Sequence, residues 1–213
     1  MKIHPALLVK NLSELLLQIS NLTSVTKDFD IDIIDWQRTP EKTLSLSDAL
    51  NVKGELNLHF DLMLDNPQES VQLLIKDSRV KTIILSLDCL DDISLLIDTI
   101  HHHGKRAGLS INPNRKLFEI APYINDVELI QIFTIEPGSQ GQPFLPARLL
   151  LCQELKELGY KNEIEIDGGV NLTTIDGIKE FPIDILSIGS ALSKAADPAG
   201  TYTKLLEKIK TLD

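Results

Sequence analysis

Basic residues are scarce in this sequence. The chain has 21 Lys and Arg against 31 Asp and Glu, which gives a formal net charge of -10 and a sequence pI near 4.9. Nucleic acids and anionic membranes both attract proteins through a basic surface. The charge balance therefore argues against either as a partner and favours a small ligand bound at a local site.

Cysteine and long apolar runs are also scarce. Cys89 and Cys152 are the two cysteines, and so few are typical of reduced, inert thiols in a cytosolic protein rather than of a disulfide or redox pair. Near the start of the chain, the apolar run 6–9 ends at Lys10 and Asn11, which makes it too short for a signal peptide or a spanning helix. The sequence therefore predicts a cytoplasmic protein with no membrane partner.

The chain is rich in short apolar segments that alternate with helical patterns. Its 213 residues suffice for one sizeable core and lie near the lower end for a barrel of eight βα units. Short runs that are almost wholly apolar predict buried parallel strands, at 31–34, 82–87, 129–135 and 183–188. Apolar residues at helical spacing predict amphipathic helices at 93–100, 147–158 and 202–209, the second of them ended by Gly159.

This alternation continues from residue 2 to residue 211 without a linker or a low-complexity tract. It predicts one α/β domain over residues 1–213. A closed barrel of eight strands and an open, doubly wound sheet both fit the alternation taken alone.

Three predicted strands run directly into glycine-rich junctions. The first is 163–170, EIEIDGGV, in which Asp167 is followed by two glycines; the others are 127–144 and 186–191. Residues that follow the strands of a (β/α) barrel lie at its carboxyl end, where such proteins keep their chemistry. Glycines there let an anion approach backbone N–H groups. The junctions therefore predict a site where a small anionic substrate meets an acid or a base.

In this order along the chain, the junctions and several shorter motifs resemble the ribulose-phosphate 3-epimerase family. The resemblance is dense at 108–113, 134–144, 166–170 and 189–191, and thinner in the N-terminal half, at Pro5, 30–35, 62–64 and Pro67. It implies a (β/α)8 TIM barrel in a single domain, and it favours the closed barrel over the open sheet. It also implies a ketose-phosphate 3-epimerase acting on ribulose 5-phosphate or a related sugar phosphate.

The resemblance places Asp32 and Asp167 at the two catalytic positions of the family. There, one aspartate removes the C3 proton of the sugar and the other returns a proton to the opposite face, because inversion beside a carbonyl needs an acid and a base. Alternation along the second strand puts Asp30 on the same face as Asp32. Two inward carboxylates are costly unless they are protonated, metal-bound or paired with a cation. Asp35 is instead expected to cap the following turn.

The family also holds a divalent metal between its two aspartates and two histidines. Asp30 and Asp61 take the places of those histidines here, so the resemblance implies a metal set of Asp30, Asp32, Asp61 and Asp167. Carboxylate oxygens suit Mg²⁺ or Mn²⁺ better than Zn²⁺, and we expect weak metal binding or none. His59 lies two residues before Asp61 on the same strand face, so a shifted alignment of the third strand would instead supply one imidazole.

The phosphate-binding part of the family's site is better kept than the part around the sugar. The resemblance assigns substrate or phosphate binding to Met63, Gly141, Gln142, Gly168, Gly169, Gly189 and Ser190. Around the sugar, a serine is replaced by Ala6, a glycine by Trp36, a histidine by Ser86, and methionines by Ile34 and Phe133. We therefore expect a conserved phosphate end and a rebuilt sugar end.

We consider three functions for these residues. The first is the epimerase, and the second is a phosphosugar-binding paralogue that has lost catalysis. The third, a decarboxylase or aldolase of a related barrel, would need a lysine among the carboxylates of the second and third strands, and none is flanked in that way. In each case the partner is a small phosphorylated sugar, and a homo-oligomer remains an option. Histidines 101–103 are expected to form a solvated helix end.

Overall fold

The computed structural model describes residues 1–35, 42–137 and 141–210. Within these ranges eight parallel strands form a closed barrel in sequential order, and β8 pairs with β1. The strands are β1 Lys2–Leu7, β2 Asp28–Ile34, β3 Asn57–Met63, β4 Val80–Ser86, β5 Arg106–Ile111, β6 Leu129–Phe133, β7 Glu163–Asp167 and β8 Ile185–Ile188. The predicted (β/α)8 TIM barrel is confirmed, and the open sheet is excluded.

Helices lie between the strands and pack on the outside of the barrel. They are α1 Leu12–Leu22, α2 Leu46–Ala49, α3 Gln68–Leu74, α4 Ile93–His102, α5 Leu150–Glu157, α6 Ile175–Ile178, α7 Ser190–Ser193 and α8 Pro198–Lys210, with 3-10 helices at Leu117–Tyr123 and Pro146–Leu149. Their buried apolar faces meet the outward residues of the strands in one core. No helix in the described ranges is long and apolar enough to cross a membrane.

The predicted elements are present, and some of their ends differ for local reasons. The helix predicted for 93–100 is α4, which begins after Asp92 because that side chain accepts a hydrogen bond from the Leu95 N–H at 3.2 Å. The helix predicted for 147–158 starts as a 3-10 turn, and Gly159 follows it with a φ of +90°. β6 ends at Phe133, and the hydroxyl of the next residue, Thr134, donates to the Gly168 carbonyl at 2.6 Å.

The interior of the barrel carries many polar side chains beside a small apolar cluster of Ile84, Leu129 and Ile185, although barrel interiors are usually filled by branched apolar side chains. On β2, Ile31 and Ile33 belong to the outer core, so strand alternation turns Asp30 and Asp32 inward. The same alternation on the other strands gives the full set of buried inward polar residues, which are His4, Asp30, Asp32, His59, Asp61, Thr82, Ser86, Ser110, Gln131, Glu165 and Ser187. Most buried titratable groups of the protein therefore lie inside the barrel.

Neither the cysteines nor the helix-end histidines belong to this interior. Cys89 and Cys152 are free, and burial raises the pKa of their thiols to about 11 and about 12, which makes both poor nucleophiles. Histidines 101–103 are exposed at the end of α4, where His101 Nε2 lies 3.0 Å from a carboxylate oxygen of Glu128. The prediction of a solvated helix end is confirmed.

Candidate active site

A pocket lies at the carboxyl end of the barrel, at the junctions that the sequence singles out. Asp32 and Asp167 line it, together with Met63, Gly141, Gly168, Gly169, Gly189 and Ser190 from the predicted substrate-binding and phosphate-binding set. The remaining member of that set, Gln142, is exposed and lies outside the lining. Asp30 and Asp61 are fully buried and do not line the pocket either. Trp36, the replacement for a family glycine around the sugar, lies outside the described residues.

Asp32 and Asp167 reach the pocket from nearly opposite sides of the barrel. Their strands, β2 and β7, are three positions apart around a ring of eight. Burial raises the pKa of Asp32 well above its ordinary value, and the charges of Asp167 and Asp61 add to the rise. Burial and the charge of Asp30 raise the pKa of Asp167 to about 7. The pair can therefore hold one proton near neutral pH, which is the state that an acid and a base acting together require.

Asp61 stands directly beside Asp32 in the barrel register. It is completely buried, and among the described residues neither of its carboxyl oxygens has a hydrogen-bond partner. Burial raises its pKa well above the ordinary value, as do the charges of Asp167 and Asp30. The nearby Gln131 amide lowers the pKa of Asp61 and offsets part of this rise, although the two groups do not have the geometry of a hydrogen bond. Asp61 therefore favours its protonated form, and it lies next to Asp32.

Asp30 has the opposite environment, although it lies only one inward position from Asp32. One of its oxygens lies 3.1 Å from Nδ1 of His4, and the other accepts a hydrogen bond from the Ser187 hydroxyl at 2.6 Å. Burial by itself would raise the pKa of Asp30, but the charge and hydrogen bond of His4 outweigh it and the pKa is lowered. The two inward aspartates of β2 therefore respond differently to burial. Asp30 is stabilised by His4 and its pKa is lowered, whereas the pKa of Asp32 is raised.

Three glycines at the pocket have backbones in the left-handed region, at φ +84° for Gly141, +105° for Gly168 and +73° for Gly169. A Cβ at Gly168 would overlap the side chain of Ile135, and one at Gly169 would lie 2.7 Å from the Phe144 ring. Glycine is required at these two positions for packing as well as for loop conformation. The loops predicted to bind the anion are thus held in place by apolar contacts from the β6 junction.

Lys194 contributes a positive charge to the same end of the pocket, and sequence reasoning did not single it out. Its Nζ lies 3.5 Å from the position that a Cβ would take at Gly141. It directly follows the short helix α7, which begins at the predicted phosphate residue Ser190. A lysine four residues after that serine was the signal available in the sequence.

The opposite side of the pocket is apolar. Ile34, Met63 and Phe133 pack together as a cluster with Leu8 against it, and Leu8, Met63 and Phe133 also line the pocket. Phe133, one of the replacements expected around the sugar, is therefore part of this wall, and Ile34, another, packs in the same cluster without lining the pocket. Ala6, the replacement for a family serine, lines the pocket as well, whereas Ser86 is buried and accepts a hydrogen bond from the Asp88 N–H at 3.1 Å.

The predicted set of metal ligands is not assembled around one point. In the described ranges, three metal-binding side chains bring their donor atoms within 4.8 Å of one another at His4, Asp30 and His59, and no three of the four predicted aspartates do so. An ion such as Mg²⁺, with bonds of about 2.1 Å, keeps all its ligands within roughly 4.2 Å of one another. The four carboxylates as they stand do not fit such an ion, and the expectation of weak binding or none at that position stays a prediction.

These features define a class: a single-domain (β/α)8 barrel whose carboxyl end combines a pair of buried acids with glycine loops suited to an anion. Within that class, the family model described as the ribulose-phosphate 3 epimerase family matches residues 2–193. The chain belongs to that family, as its motifs predicted.

Curated relatives extend over nearly the whole chain. It is 26% identical over 215 residues to the cytoplasmic isoform of ribulose-phosphate 3-epimerase from Oryza sativa, covering 98% of this chain and 94% of the relative. It is also 26% identical over 204 residues to ribulose-phosphate 3-epimerase from Bacillus subtilis, covering 92% and 94%. These relatives are named as epimerases, a class of isomerase.

Solved structures with lower identity share the fold. The 3-keto-L-gulonate-6-phosphate decarboxylase from Vibrio cholerae superposes with a TM-score of 0.74 at 16% identity, covering 100% of this chain and 98% of the other. The 3-hexulose-6-phosphate synthase from Salmonella typhimurium gives a TM-score of 0.73 at 16% identity, covering 100% of both. At this identity the likeness concerns the barrel alone.

Proposed function

We propose that this protein is a ketose-phosphate 3-epimerase that acts on ribulose 5-phosphate or a closely related sugar phosphate. Family membership supports the reaction class. The observation that carries the proposal is that Asp32 and Asp167 face one pocket from nearly opposite sides, each with a raised pKa. A carbon held between them can lose a proton to one side and gain a proton from the other.

In the proposed reaction one aspartate starts ionised and the other protonated. The ionised carboxylate takes the C3 proton, and the electron pair of the broken C–H bond moves toward C2, so that the C2 carbonyl becomes an enediolate oxygen. The second aspartate then returns its proton to the opposite face of C3, and the carbonyl re-forms. The two side chains have exchanged protonation states at the end, and the reverse reaction starts from that exchanged pair.

The phosphate is proposed to lie over the glycine loops. Gly141, Gly168, Gly169, Gly189 and Ser190 surround that end of the pocket, where backbone N–H groups bind anions in barrels of this kind. The Lys194 ammonium adds a positive charge there. Gln142 is proposed as a further substrate contact on the family resemblance alone.

Exchange of the C3 hydrogen of ribulose 5-phosphate in deuterated water is the direct test. Both Asp32→Asn and Asp167→Asn should lower exchange by several orders of magnitude, because an amide cannot carry the proton. Asp35→Asn is the matched control: Asp35 follows the same strand as Asp32, but its side chain is exposed and forms an ion pair with Lys42. If both interior variants keep near wild-type exchange, the two-aspartate assignment is wrong.

The second candidate is a phosphosugar-binding paralogue without epimerase activity. It is favoured by the replacement of both metal-binding histidines of the family and by the failure of the four aspartates to converge. Binding of ribulose 5-phosphate by the wild type without C3 exchange on any pentulose or hexulose phosphate would identify this alternative.

A further inference from the structure

A second cluster of functional side chains lies inside the barrel, apart from the pocket. It consists of His4 on β1, Asp30 on β2 and His59 on β3, three neighbouring strands, and we refer to it as the interior histidine cluster. Their exposed fractions are 3%, 1% and 7%. One donor atom from each residue lies within 4.8 Å of the other two. Asp30 and His59 are direct neighbours in the barrel register.

The donor atoms of this cluster are a set that transition metals prefer. Two imidazoles and one carboxylate are found at protein sites for Zn²⁺ and related first-row ions. A tetrahedral ion with bonds of about 2.1 Å places its ligand atoms about 3.4 Å apart. His4 Nδ1 and the nearer oxygen of Asp30 are already 3.1 Å apart, and the rings of His4 and His59 stack with centroids 4.5 Å apart. An imidazole binds an ion in the plane of its ring, so one of the two stacked rings has to turn about its side-chain bonds before both can bind the same ion.

Surrounding hydroxyls orient two of the three side chains. The Thr82 hydroxyl lies 3.0 Å from Nδ1 of His59, and the Ser187 hydroxyl donates to Asp30 at 2.6 Å. The other ring nitrogen of His59, Nε2, lies 3.5 Å from a carboxylate oxygen of Asp28, and an ion bound at Nε2 would replace this long contact. The Thr82 and Ser187 hydroxyls thus hold His59 and Asp30 in place, as hydrogen-bond partners of metal ligands do.

The barrel interior also has too little positive charge for its acids. A further carboxylate, that of Glu165, reaches within 3.9 Å of His4 Nδ1 and is itself almost completely buried. Asp61 on β3 and Asp167 on β7 also lie on the inward faces of their strands. A divalent cation at the interior histidine cluster would reduce this excess of negative charge.

A route to the cluster opens at the amino-terminal end of the barrel, opposite the pocket. A cavity of about 660 Å³ is lined there by His4, Asp28 and Asn57, among others. The half-exposed carboxylate of Asp28 lies 3.5 Å from Nε2 of His59, so a cation entering from solvent meets one acid before reaching the cluster. No residue of this cluster lines the pocket at the carboxyl end.

We propose that His4, Asp30 and His59 bind a divalent transition-metal ion of the Zn²⁺ class, loaded from the amino-terminal end of the barrel. This position differs from the predicted set of four aspartates, with which it shares only Asp30. The ion would lie between His4 Nδ1 and the nearer oxygen of Asp30 and replace their direct contact of 3.1 Å. The proposal concerns a metal site and is independent of the proposed epimerase activity.

The test is Zn²⁺ binding by the full-length protein, first dialysed against a chelator and then titrated in competition with a chromophoric zinc indicator. We expect about one Zn²⁺ per chain in the wild type. His4→Ala and His59→Ala should each weaken binding by at least about 100-fold, more than the loss of an outer partner costs. His102→Ala, an exposed histidine on α4, is the matched control and should bind as the wild type does. Asp61→Asn should also keep the ion.

A measurement on the wild type alone covers the case in which a variant fails to fold. Loading with Co²⁺ should give the visible absorption of a site with nitrogen and oxygen ligands, and it should broaden the imidazole NMR signals of His4 and His59 while leaving those of the α4 histidines sharp. Absence of Zn²⁺ binding at micromolar concentration would overturn the proposal. So would binding that is lost in Asp61→Asn but kept in His59→Ala, because the ion would then lie among the aspartates.

Discussion

The carboxyl groups inside the barrel differ mainly in what each of them contacts. Asp30 is hydrogen-bonded to His4 and Ser187 and has a lowered pKa, whereas the neighbouring Asp61 has no hydrogen-bond partner among the described residues and a raised one. Asp32 and Asp167 belong to the second kind. Two groups with raised pKa values, Asp32 and Asp167, thus line the pocket, and Asp30, whose pKa is lowered, does not. This separation is what proton transfer at a substrate carbon requires.

The pH dependence of catalysis should reflect the raised pKa of Asp167. Epimerisation needs one proton on the aspartate pair, so kcat/KM falls at low pH, where both are protonated. Because burial and Asp30 raise the pKa of Asp167 to about 7, we expect the acidic limb near pH 7 rather than near pH 4. The acidic limb of the kcat/KM profile should lie at the same pH whichever of the two epimers is the substrate. An acidic limb near pH 4 in pH-rate profiles would show that Asp167 is not the group that loses its proton first.

Lys194 should contribute to affinity for the phosphate group. Its ammonium lies beside Gly141 and is exposed, so its removal should weaken binding by about tenfold, equivalent to about 1.4 kcal/mol, and should reduce the salt dependence of KM. The readout is KM for ribulose 5-phosphate with Lys194→Ala, together with the rise in Tm that the ligand causes. The dephosphorylated sugar should leave Tm unchanged in both proteins.

Lys204→Ala serves as the control for Lys194, because Lys204 is also exposed but lies on α8. Equal KM values for the wild type and Lys194→Ala at low ionic strength would remove Lys194 from the proposed site. Equal stabilisation by the phosphorylated and dephosphorylated sugars would count against the phosphate site as a whole.

For whole strands and helices, the sequence predicted the elements and the side of each strand better than the contacts between strands. Alternation along β2 and β3 was enough to place Asp30, Asp32, His59 and Asp61 inside the barrel. The pairing of Asp30 with His4 was not visible, because it depends on the register between β1 and β2, set by the stagger of the closed barrel. Motifs likewise located the glycine loops, but the packing of Phe144 on Gly169 required the fold.

The junction after β7 should be sensitive to any side chain at Gly168. An alanine there meets both a φ of +105° and overlap with Ile135, so Gly168→Ala should destabilise the fold by roughly 2–4 kcal/mol. Gly159→Ala is the matched control: its φ is +90°, but a Cβ there has no heavy atom within 4 Å. It should cost about 1 kcal/mol. Urea unfolding measures both, and equal losses would mean that the Ile135 contact relaxes freely.

The molecule as a whole has an apolar shell around a charged centre. The outer core between strands and helices is formed by apolar residues, and its burial is the main source of stability. The carboxyls inside the barrel work against it, because ionising a buried acid without a cation is unfavourable. Stability and the proposed function are therefore opposed at the same residues, as is usual where a site needs groups with shifted pKa values.

The free energy of unfolding should consequently fall as pH rises from about 5 to 8. The folded pKa of Asp167 is about 7 against an ordinary value of 3.8, so between these values the folded state binds more protons than the unfolded state. The stability that this group contributes is fully present below its ordinary pKa and is lost as pH rises through its pKa in the folded state. For Asp167 the loss is on the order of 2–4 kcal/mol, and the raised pKa values of Asp32 and Glu165 act in the same direction.

Asp167→Asn isolates this contribution, because the amide cannot ionise. Urea unfolding at several pH values should show a flatter profile for this variant, and greater stability than the wild type at pH 8 despite the loss of activity. Glu163→Gln, on the same strand, should change stability in the opposite direction. Burial would raise the pKa of Glu163, but Lys2 and Arg106 outweigh it and lower that pKa. Removal of this carboxylate should therefore reduce stability at pH 8. If Asp167→Asn is instead less stable than the wild type at pH 8, the ionised carboxylate is stabilised in the fold and its pKa is not raised.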